Sequence, residues 1–447
     1  MMGMVFMKSK TIEIERFFSS EDKEKYFFIP FEVPENCEKM KISYSTDKLK
    51  GICIDLGLVY PDGTQNGASG GRTKSIEISA RYSTDGYEPS EPYAGTWQLI
   101  AGVYRPSEGV KVTYTITFIF KEKRRLKGDT HTHTLNSDGG LTPQQLIAYA
   151  KKKGLDFLII TDHNNNRAGS YNLIDPDITI IKGMELTEYN GHCNIWGTDK
   201  PFDEPYCANS LEDFITLAQT ARSKGALISV NHPFCKMCGW HWPLDSFPFD
   251  AVEVWNGPMR IDNISSLKWW HGELLKGKKL PAVGGSDFHR DFAGLTHLLG
   301  CPTTLVNSSS SSPDDILLAI KSGNSVITSK PDGQVLCLEC EGAQEGDEIP
   351  WRENIAVNVH GDRLKKGHLL EIFNNNEIIY SEKIKNTDLS LILSVPSPGF
   401  VRAQISHQYG AVATFIYHKV AKLMIPEDSK LPLPPFIKCL TNPIWFV

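Results

Sequence analysis

Between residues 129 and 289 the chain gathers histidines and carboxylates at short spacings. The run opens with Asp129-Thr130-His131-Thr132-His133 and continues with Ser137-Asp138-Gly139-Gly140, Asp162-His163, Gly183-Met184-Glu185 and Gly191-His192. It closes with Asn231-His232-Pro233 and Gly285-Ser286-Asp287-Phe288-His289. In a strand, positions i and i+2 share a face, so the imidazoles of His131 and His133 aim at one point. Asp129 shares that face, where it is better suited to supporting a ligand than to being one. Taken singly, each residue has an ordinary role as a cap, turn residue or satisfied histidine. Together they read as ligands of a metal centre. Mixed imidazole and carboxylate donors suit Zn²⁺, Mn²⁺ or Fe²⁺ rather than a thiolate-selected metal.

The elements that must position these groups alternate apolar strand-length runs with amphipathic helices, the βαβ pattern. Thr142-Pro143-Gln144-Gln145 combines an N-cap, a proline at the first helical position and a capping-box glutamine, and Gly154 closes the helix. The strand Leu155–Thr161 follows. Leu211–Lys224 reads as a helix feeding the strand Ala226–Val230. Ala251–Trp255 and Leu280–Val283 read as strands around a helix at Ser265–Lys276. A histidine or acid then stands at the C-terminal end of nearly every strand, where α/β barrels build their sites. Ser308–Ser312 reads as a surface loop leading into a helix capped by Ser312-Pro313-Asp314-Asp315.

Residues 1–126 read as β. Alternating segments at Thr11–Glu15, Lys41–Tyr44, Ile52–Leu58 and Val112–Phe120 are separated by turn chemistry at Pro61-Asp62-Gly63 and Gly67–Gly71. Residues 331–447 read as β again, including Val335–Leu338, Ile355–Val359, Leu369–Phe373 and Ala411–Tyr417. The expected plan is a β-sandwich over 1–126, an α/β barrel over 127–330 and a second β-sandwich over 331–447. At roughly 150 residues per domain, the 447 residues fit about three domains.

The ordered motifs of residues 127–330 resemble the PHP (polymerase and histidinol phosphatase) metallohydrolases. Within them the chain is most similar to the carbaryl-hydrolase-like branch, which carries a β-sandwich before the metal domain. Asp62-Gly63, Gly67–Arg72 and Ala94-Gly95-Thr96-Trp97 fit that module. The resemblance implies a distorted seven-stranded (β/α) barrel and three metals. His131, His133, Glu185 and Asp287 would hold the first. Glu185 would bridge to the second, which also takes His192 and His232. Asp138, His163 and His289 would hold the third, with Asp138 standing where many members carry a histidine. Catalytic roles would fall to Glu185, Asp287, His289 and Arg290.

Six neutral histidines and three carboxylates around three divalent ions leave a net positive cluster, which a phosphate monoester dianion would neutralise. The expected reaction is hydrolysis of a small phosphorylated metabolite or nucleotide by metal-activated water. Hydrolysis of a carbamate, carboxyl ester or amide at the same metals is the rival. A non-catalytic binding protein with a vestigial barrel is the third reading. Arg290, Arg167 and Arg260 are candidate phosphate contacts, because a guanidinium fork matches phosphate oxygens. Asn164, Asn165, Asn231 and Asn256 are candidate substrate contacts. Cys235-x-x-Cys238 has metal-knuckle spacing but lacks a second cysteine pair in a matching context, and reads as structural thiols. The loop Pro233–Phe249 reads either as a lid or as simple packing of its tryptophans.

Forty-seven basic against fifty-three acidic residues exclude the basic excess expected of a nucleic-acid-coating surface, so no polymer partner is expected. No apolar run reaches the 18 or so residues of a membrane span. The first fifteen residues lack a basic segment followed by an apolar core, and ten cysteines are few for a disulfide scaffold. A cytoplasmic enzyme acting on a small anionic substrate is the expectation; oligomeric state is unreadable.

Overall fold

The computed structural model describes residues 8–47, 53–71, 75–104, 109–167, 173–203, 206–291, 297–424 and 432–447. Two compact units emerge: one holds residues 1–124 with 174–179 and 309–315, the other the remainder. Ile52, Arg72 and the first seven residues, invoked above, lie outside the described residues.

The first unit contains β1 (Ser9–Phe18), β2 (Lys25–Val33), β3 (Cys37–Thr46), β4 (Ile54–Val59), β5 (Gln65–Ser69), β6 (Ser75–Ser79), β7 (Gly95–Val103) and β8 (Val110–Phe120). They form two four-stranded antiparallel sheets, β1-β8-β3-β6 and β2-β7-β4-β5. Alternation in β8 buries Val110, Val112, Tyr114, Ile116 and Phe118. These join Trp97, Leu99 and Ala101 of the other sheet in one core. The glycine-rich stretch expected as a turn is partly strand. Gly67 lies in β5, where the carbonyl of Gly86 would come within 2.2 Å of an added Cβ, so glycine permits a close backbone approach rather than a bend.

The serine run also departs from expectation. Ser310, Ser311 and Ser312 are buried. Ser311 donates to Glu38 Oε1 from its backbone N–H at 3.1 Å and its hydroxyl at 2.8 Å, and Ser310 donates to the Asp315 carboxylate. A hydroxyl is cheap to bury once a carboxylate accepts from it. The cap on the next helix is present, with Ser312 Oγ accepting from Asp315 N at 3.1 Å.

In the second unit, apart from the first residues of β9 and β11, the strands β9 (Arg124–Asp129), β10 (Phe157–Ile160), β11 (Thr179–Glu188), β12 (Gly191–Trp196), β13 (Leu227–Val230), β14 (Ala251–Asn256) and β15 (Ala282–Gly285) lie side by side in chain order. β12 runs antiparallel to both neighbours, while β9–β10, β13–β14 and β14–β15 are parallel. A parallel bridge between Thr132 and Phe288 joins the segments that follow β9 and β15. That bridge lies beside the histidine motifs. Helices Pro143–Lys152, Leu211–Ser223 and Ile261–Leu275 occupy the connections, the first with the anticipated Thr142–Gln145 capping box. The same 15-stranded sheet continues through Thr303–Ser308 and Ser325–Thr328 into C-terminal strands including Leu369–Asn374 and Gly399–His407.

Ala411–Tyr417 is a correction: Ala411–Met424 is a helix. Val412, Phe415 and Ile416 are exposed, and the less exposed positions recur every four residues at 413–414 and 417–418. The β-branched and aromatic residues therefore mark no sheet face. No helix among the described residues is long and apolar enough to cross a membrane.

Candidate metal centre

Most candidate ligands sit in or just beyond a strand, and Asp138 lies in the turn before the helix Pro143–Lys152. His131 and His133 follow β9, His163 follows β10, Glu185 lies within β11 and His192 within β12. His232 follows β13, and Asp287 and His289 follow β15. The local backbone is unusual at two of them, with φ of 28° at His232 and 51° at Asp287. Left-handed conformations at non-glycine residues cost energy and persist where surrounding contacts over-determine them. Here Asp287 N donates to the His131 carbonyl at 2.9 Å, and His232 N donates to Glu253 Oε2 at 3.1 Å.

Glu185, 1% exposed, is the hub. Its Oε1 lies 3.2 Å from His192 Nδ1, 3.3 Å from His232 Nε2 and 3.4 Å from His131 Nε2. Its Oε2 lies 2.9 Å from His163 Nδ1 and 3.5 Å from His133 Nε2. Asp287 Oδ1 lies 3.0 Å from His133 Nε2 and 3.4 Å from His131 Nε2. Asp138 Oδ1 lies 3.2 Å from His289 Nε2 and 3.5 Å from His163 Nε2. Three overlapping donor groups result: His131 with His133 and Asp287; His131 with Glu185 and His232; and His133 with Asp138, His163 and His289. The ligating atoms within each lie within 4.8 Å of one another. His192 reaches the cluster through Glu185.

The residues fit a cation on an independent observation. His131 Nε2, His133 Nδ1 and Glu185 Oε2 are buried without a hydrogen-bond partner. The close approaches to the first and last lack hydrogen-bond geometry, and buried polar atoms are rarely left so. Electrostatics agree. Burial alone would raise the carboxyl pKa values, yet the surrounding imidazoles, His131 foremost, hold Glu185 and Asp287 well below the usual range. Conversely, burial would depress His131, but Asp287, Glu253 and Glu185 draw it well up. His232 rises against its burial to about 9, chiefly through Glu185. His133, where burial dominates, is lowered. Such a pocket attracts positive charge, whether protons or a divalent ion.

Supporting contacts hold the donors in place. Glu253 Oε1 lies 3.0 Å from His131 Nδ1. Asp129 accepts from Ser286 N at 2.9 Å and Gly300 N at 2.8 Å, the supporting role anticipated for it. Asp162 accepts from Thr134 N, Thr134 Oγ1 and Ser137 Oγ at 2.6, 2.7 and 2.8 Å, fixing the turn that carries Asp138. Asn231 donates to Glu185 Oε1 at 2.8 Å. Sequence reasoning passed over Glu253 and Asp162. A lone acid inside the otherwise apolar run Ala251–Trp255 was the available signal for the former.

The candidate substrate contacts divide. Exposed Arg290 donates to the Asp138 carbonyl at 2.8 Å and therefore stands beside the cluster. Arg260 reaches Asn256 Oδ1 at 3.1 Å and Asp262 Oδ1 at 3.3 Å, while Asn256 donates to Asp287 Oδ2 at 3.3 Å. Asn164 spends its amide on the backbone of Thr187, donating to the carbonyl at 2.9 Å and accepting from the N–H at 2.8 Å. Arg167 is exposed, and its N–H donates to Asn165 Oδ1 at 3.1 Å. In the loop after His232, Trp240 is buried against Phe214, Trp242 and Phe249. Cys235 and Cys238, read from sequence as structural thiols, lie beside His232.

No protein-family model and no curated protein matches the chain. Among solved structures it is similar to a two-domain protein from Bacteroides vulgatus containing a predicted PHP-like metal-dependent phosphoesterase. Identity is 19%, coverage 63% of this chain and 91% of that one, and the TM-score 0.38. It is also similar to an amidohydrolase from Chromobacterium violaceum, at 16% identity, 36% and 87% coverage, and a TM-score of 0.27. At these values neither fold nor activity transfers from those proteins to this chain.

Proposed function

We propose that the chain is a metal-dependent hydrolase of the PHP type. In this reading it is a phosphoesterase acting on a small phosphorylated metabolite or nucleotide. One observation carries it: six histidines converge on Glu185 and Asp287, Asp138 faces two of them, and three of the cluster's buried polar atoms have no hydrogen-bond partner. The reading includes a distorted seven-stranded barrel over 127–330 between β-sandwich modules at 1–126 and 331–447. It also includes the carbaryl-hydrolase-like branch and a cytoplasmic setting.

His131, His133, Asp138, His163, Glu185, His192, His232, Asp287 and His289 would hold two or three divalent ions. Bound there, such ions lower the pKa of water and polarise phosphoryl oxygens. The protein's own part is orientation. Glu253 selects the ring nitrogen that His131 offers to the site. The Asp287 carbonyl, 2.9 Å from His289 Nδ1, accepts that nitrogen's proton and leaves Nε2 as the free donor. Asn256 holds Asp287 Oδ2. Arg290, exposed at the edge, offers its remaining guanidinium N–H groups to the outer phosphate oxygens.

The test compares p-nitrophenyl phosphate and bis-p-nitrophenyl phosphate with a p-nitrophenyl ester and carbamate, on protein of measured metal content. Phosphate-ester turnover lost in His131→Ala supports the reading. Ester or carbamate turnover without phosphate-ester cleavage transfers the site to the rival chemistry. Less than one metal per chain, not recovered by added Mn²⁺ or Zn²⁺, removes catalysis altogether.

A further inference from the structure

Past the proposed hydrolytic site, His232 has a second nitrogen and a second set of neighbours. Its Nε2 faces Glu185 at 3.3 Å. Its Nδ1, on the opposite side of the ring, lies 3.7 Å from Cys238 Sγ, which is 3.0 Å from Cys235 Sγ. The three donors come from His232-Pro233-Phe234-Cys235-Lys236-Met237-Cys238, seven consecutive residues. We infer that His232 Nδ1, Cys235 and Cys238 form a separate sulfur-bearing site for a thiophilic divalent cation of the zinc and cadmium class.

The geometry supports this at each step. A tetrahedral ion with Zn–S near ~2.3 Å and Zn–N near ~2.0 Å separates sulfur and nitrogen by ~3.6 Å and its two sulfurs by ~3.8 Å. The sulfur–nitrogen distance is already there, and the sulfur pair has to open by less than ~1 Å, within reach of small χ1 rotations. The backbone that presents the donors is fixed. Cys235 N donates to the His232 carbonyl at 2.9 Å, and Trp240 N donates to the Pro233 carbonyl at 2.9 Å. At Gly239 an added Cβ would meet the Cys235 carbonyl at 2.3 Å, so the turn tolerates no side chain there. Access is open: both cysteines are partly exposed, and Met237 between them is 76% exposed. Three protein donors leave the fourth position to water or an external ligand, the arrangement of an open rather than a closed zinc site.

Soft thiolates favour such an ion over Mn²⁺ or Fe²⁺, whereas the oxygen- and imidazole-rich cluster on the other side of His232 suits all three. Binding releases the two thiol protons to solvent. Where Nε2 is also metal-bound, it releases the Nδ1 proton too, and the imidazole then bridges the two sites. The inference shares His232 with the proposed hydrolytic centre but does not need that centre to be catalytic.

The test uses the full chain, reduced and freed of metal, titrated with Cd²⁺ and separately with Co²⁺. A thiolate-to-metal charge-transfer band in the near ultraviolet is expected. It should disappear in the Cys235→Ser/Cys238→Ser double variant and persist in His131→Ala, which damages only the other cluster. On wild-type protein, Cd²⁺ at ten times its Kd should slow alkylation of both cysteines about tenfold, read by peptide mass spectrometry. That measurement needs no variant and so survives any folding defect. Absence of the band together with unslowed alkylation of Cys235 and Cys238 overturns the inference. So does a band that persists in the double variant. Failure of phosphate-ester hydrolysis alone leaves it standing.

Discussion

Glu253 Oε1 lies 3.0 Å from His131 Nδ1, and both residues are almost wholly removed from solvent. A carboxylate in that position accepts the Nδ1 proton and leaves Nε2 as the donor that faces Glu185 and Asp287. Glu253→Gln keeps the volume but presents a neutral amide that no longer favours that tautomer. The expected result is a metal affinity about 10- to 100-fold weaker. Chelator competition measures it, with an unchanged far-ultraviolet circular dichroism spectrum as the folding control. Affinity equal to the wild type would show that the pair merely packs.

Gly285 stands directly against this pair. An alanine Cβ there would fall 2.4 Å from the Cβ of His131 and 2.6 Å from Glu253 Oε1. The first of these atoms cannot swing aside, so Gly285→Ala should cost about 1–3 kcal/mol of stability. It should also weaken metal binding. Gly272 provides the opposite case within the helix Ile261–Leu275, since an added Cβ there meets nothing within 4 Å. Gly272→Ala should stabilise by up to about 1 kcal/mol. Denaturant midpoints of the two variants should move in opposite directions.

What could be read from the residues alone follows from how local each signal was. His131-x-His133 and Asp287-x-His289 each pack two donors into three residues just beyond a strand, so their convergence was legible. The capping box at Thr142–Gln145 was equally so, because it is written within four residues. Glu253 was legible only as an acid among apolar neighbours, since nothing near it in the chain announces a partner 122 residues away. Asp162 was overshadowed by its neighbour His163, although it anchors Thr134 and Ser137. The helix Ala411–Met424 was misread for the converse reason. Its β-branched and aromatic residues suit a strand, and only their exposure every fourth residue shows that they line no sheet.

Away from the cluster, Arg402 Nε donates to His271 Nδ1 at 2.9 Å. Burial first, and the Arg402 charge second, lower the His271 pKa to about 4. Its unfolded value is near ~6.5, so below that pH the unfolded chain binds a proton that the folded chain refuses. The contribution is therefore fully present above pH ~6.5 and is lost progressively as pH falls towards about 4. His271→Gln removes the titrating group. Urea midpoints of wild type and variant, measured between pH 7 and 4, should differ by an amount that changes with pH in that direction. A constant difference across the window would refute the coupling.

Metal removal should register in stability as well as in turnover. Without a cation, the carboxylates of Glu185 and Asp287 face imidazoles, of which His131, His163 and His232 are drawn towards protonation, and three buried polar atoms have no hydrogen-bond partner. An ion that binds the folded chain alone adds about 2.7 kcal/mol when present at a hundred times its Kd. Thermal unfolding of chelator-treated protein should therefore shift upward on adding Mn²⁺ or Zn²⁺, by several degrees for a unit of this size. The shift should shrink in Asp287→Asn, which gives up a charge that both His131 and His133 face. Because the first unit contains none of the cluster residues, a transition belonging to it should not move. A uniform shift of every transition would indicate non-specific ion binding rather than a site at Glu185.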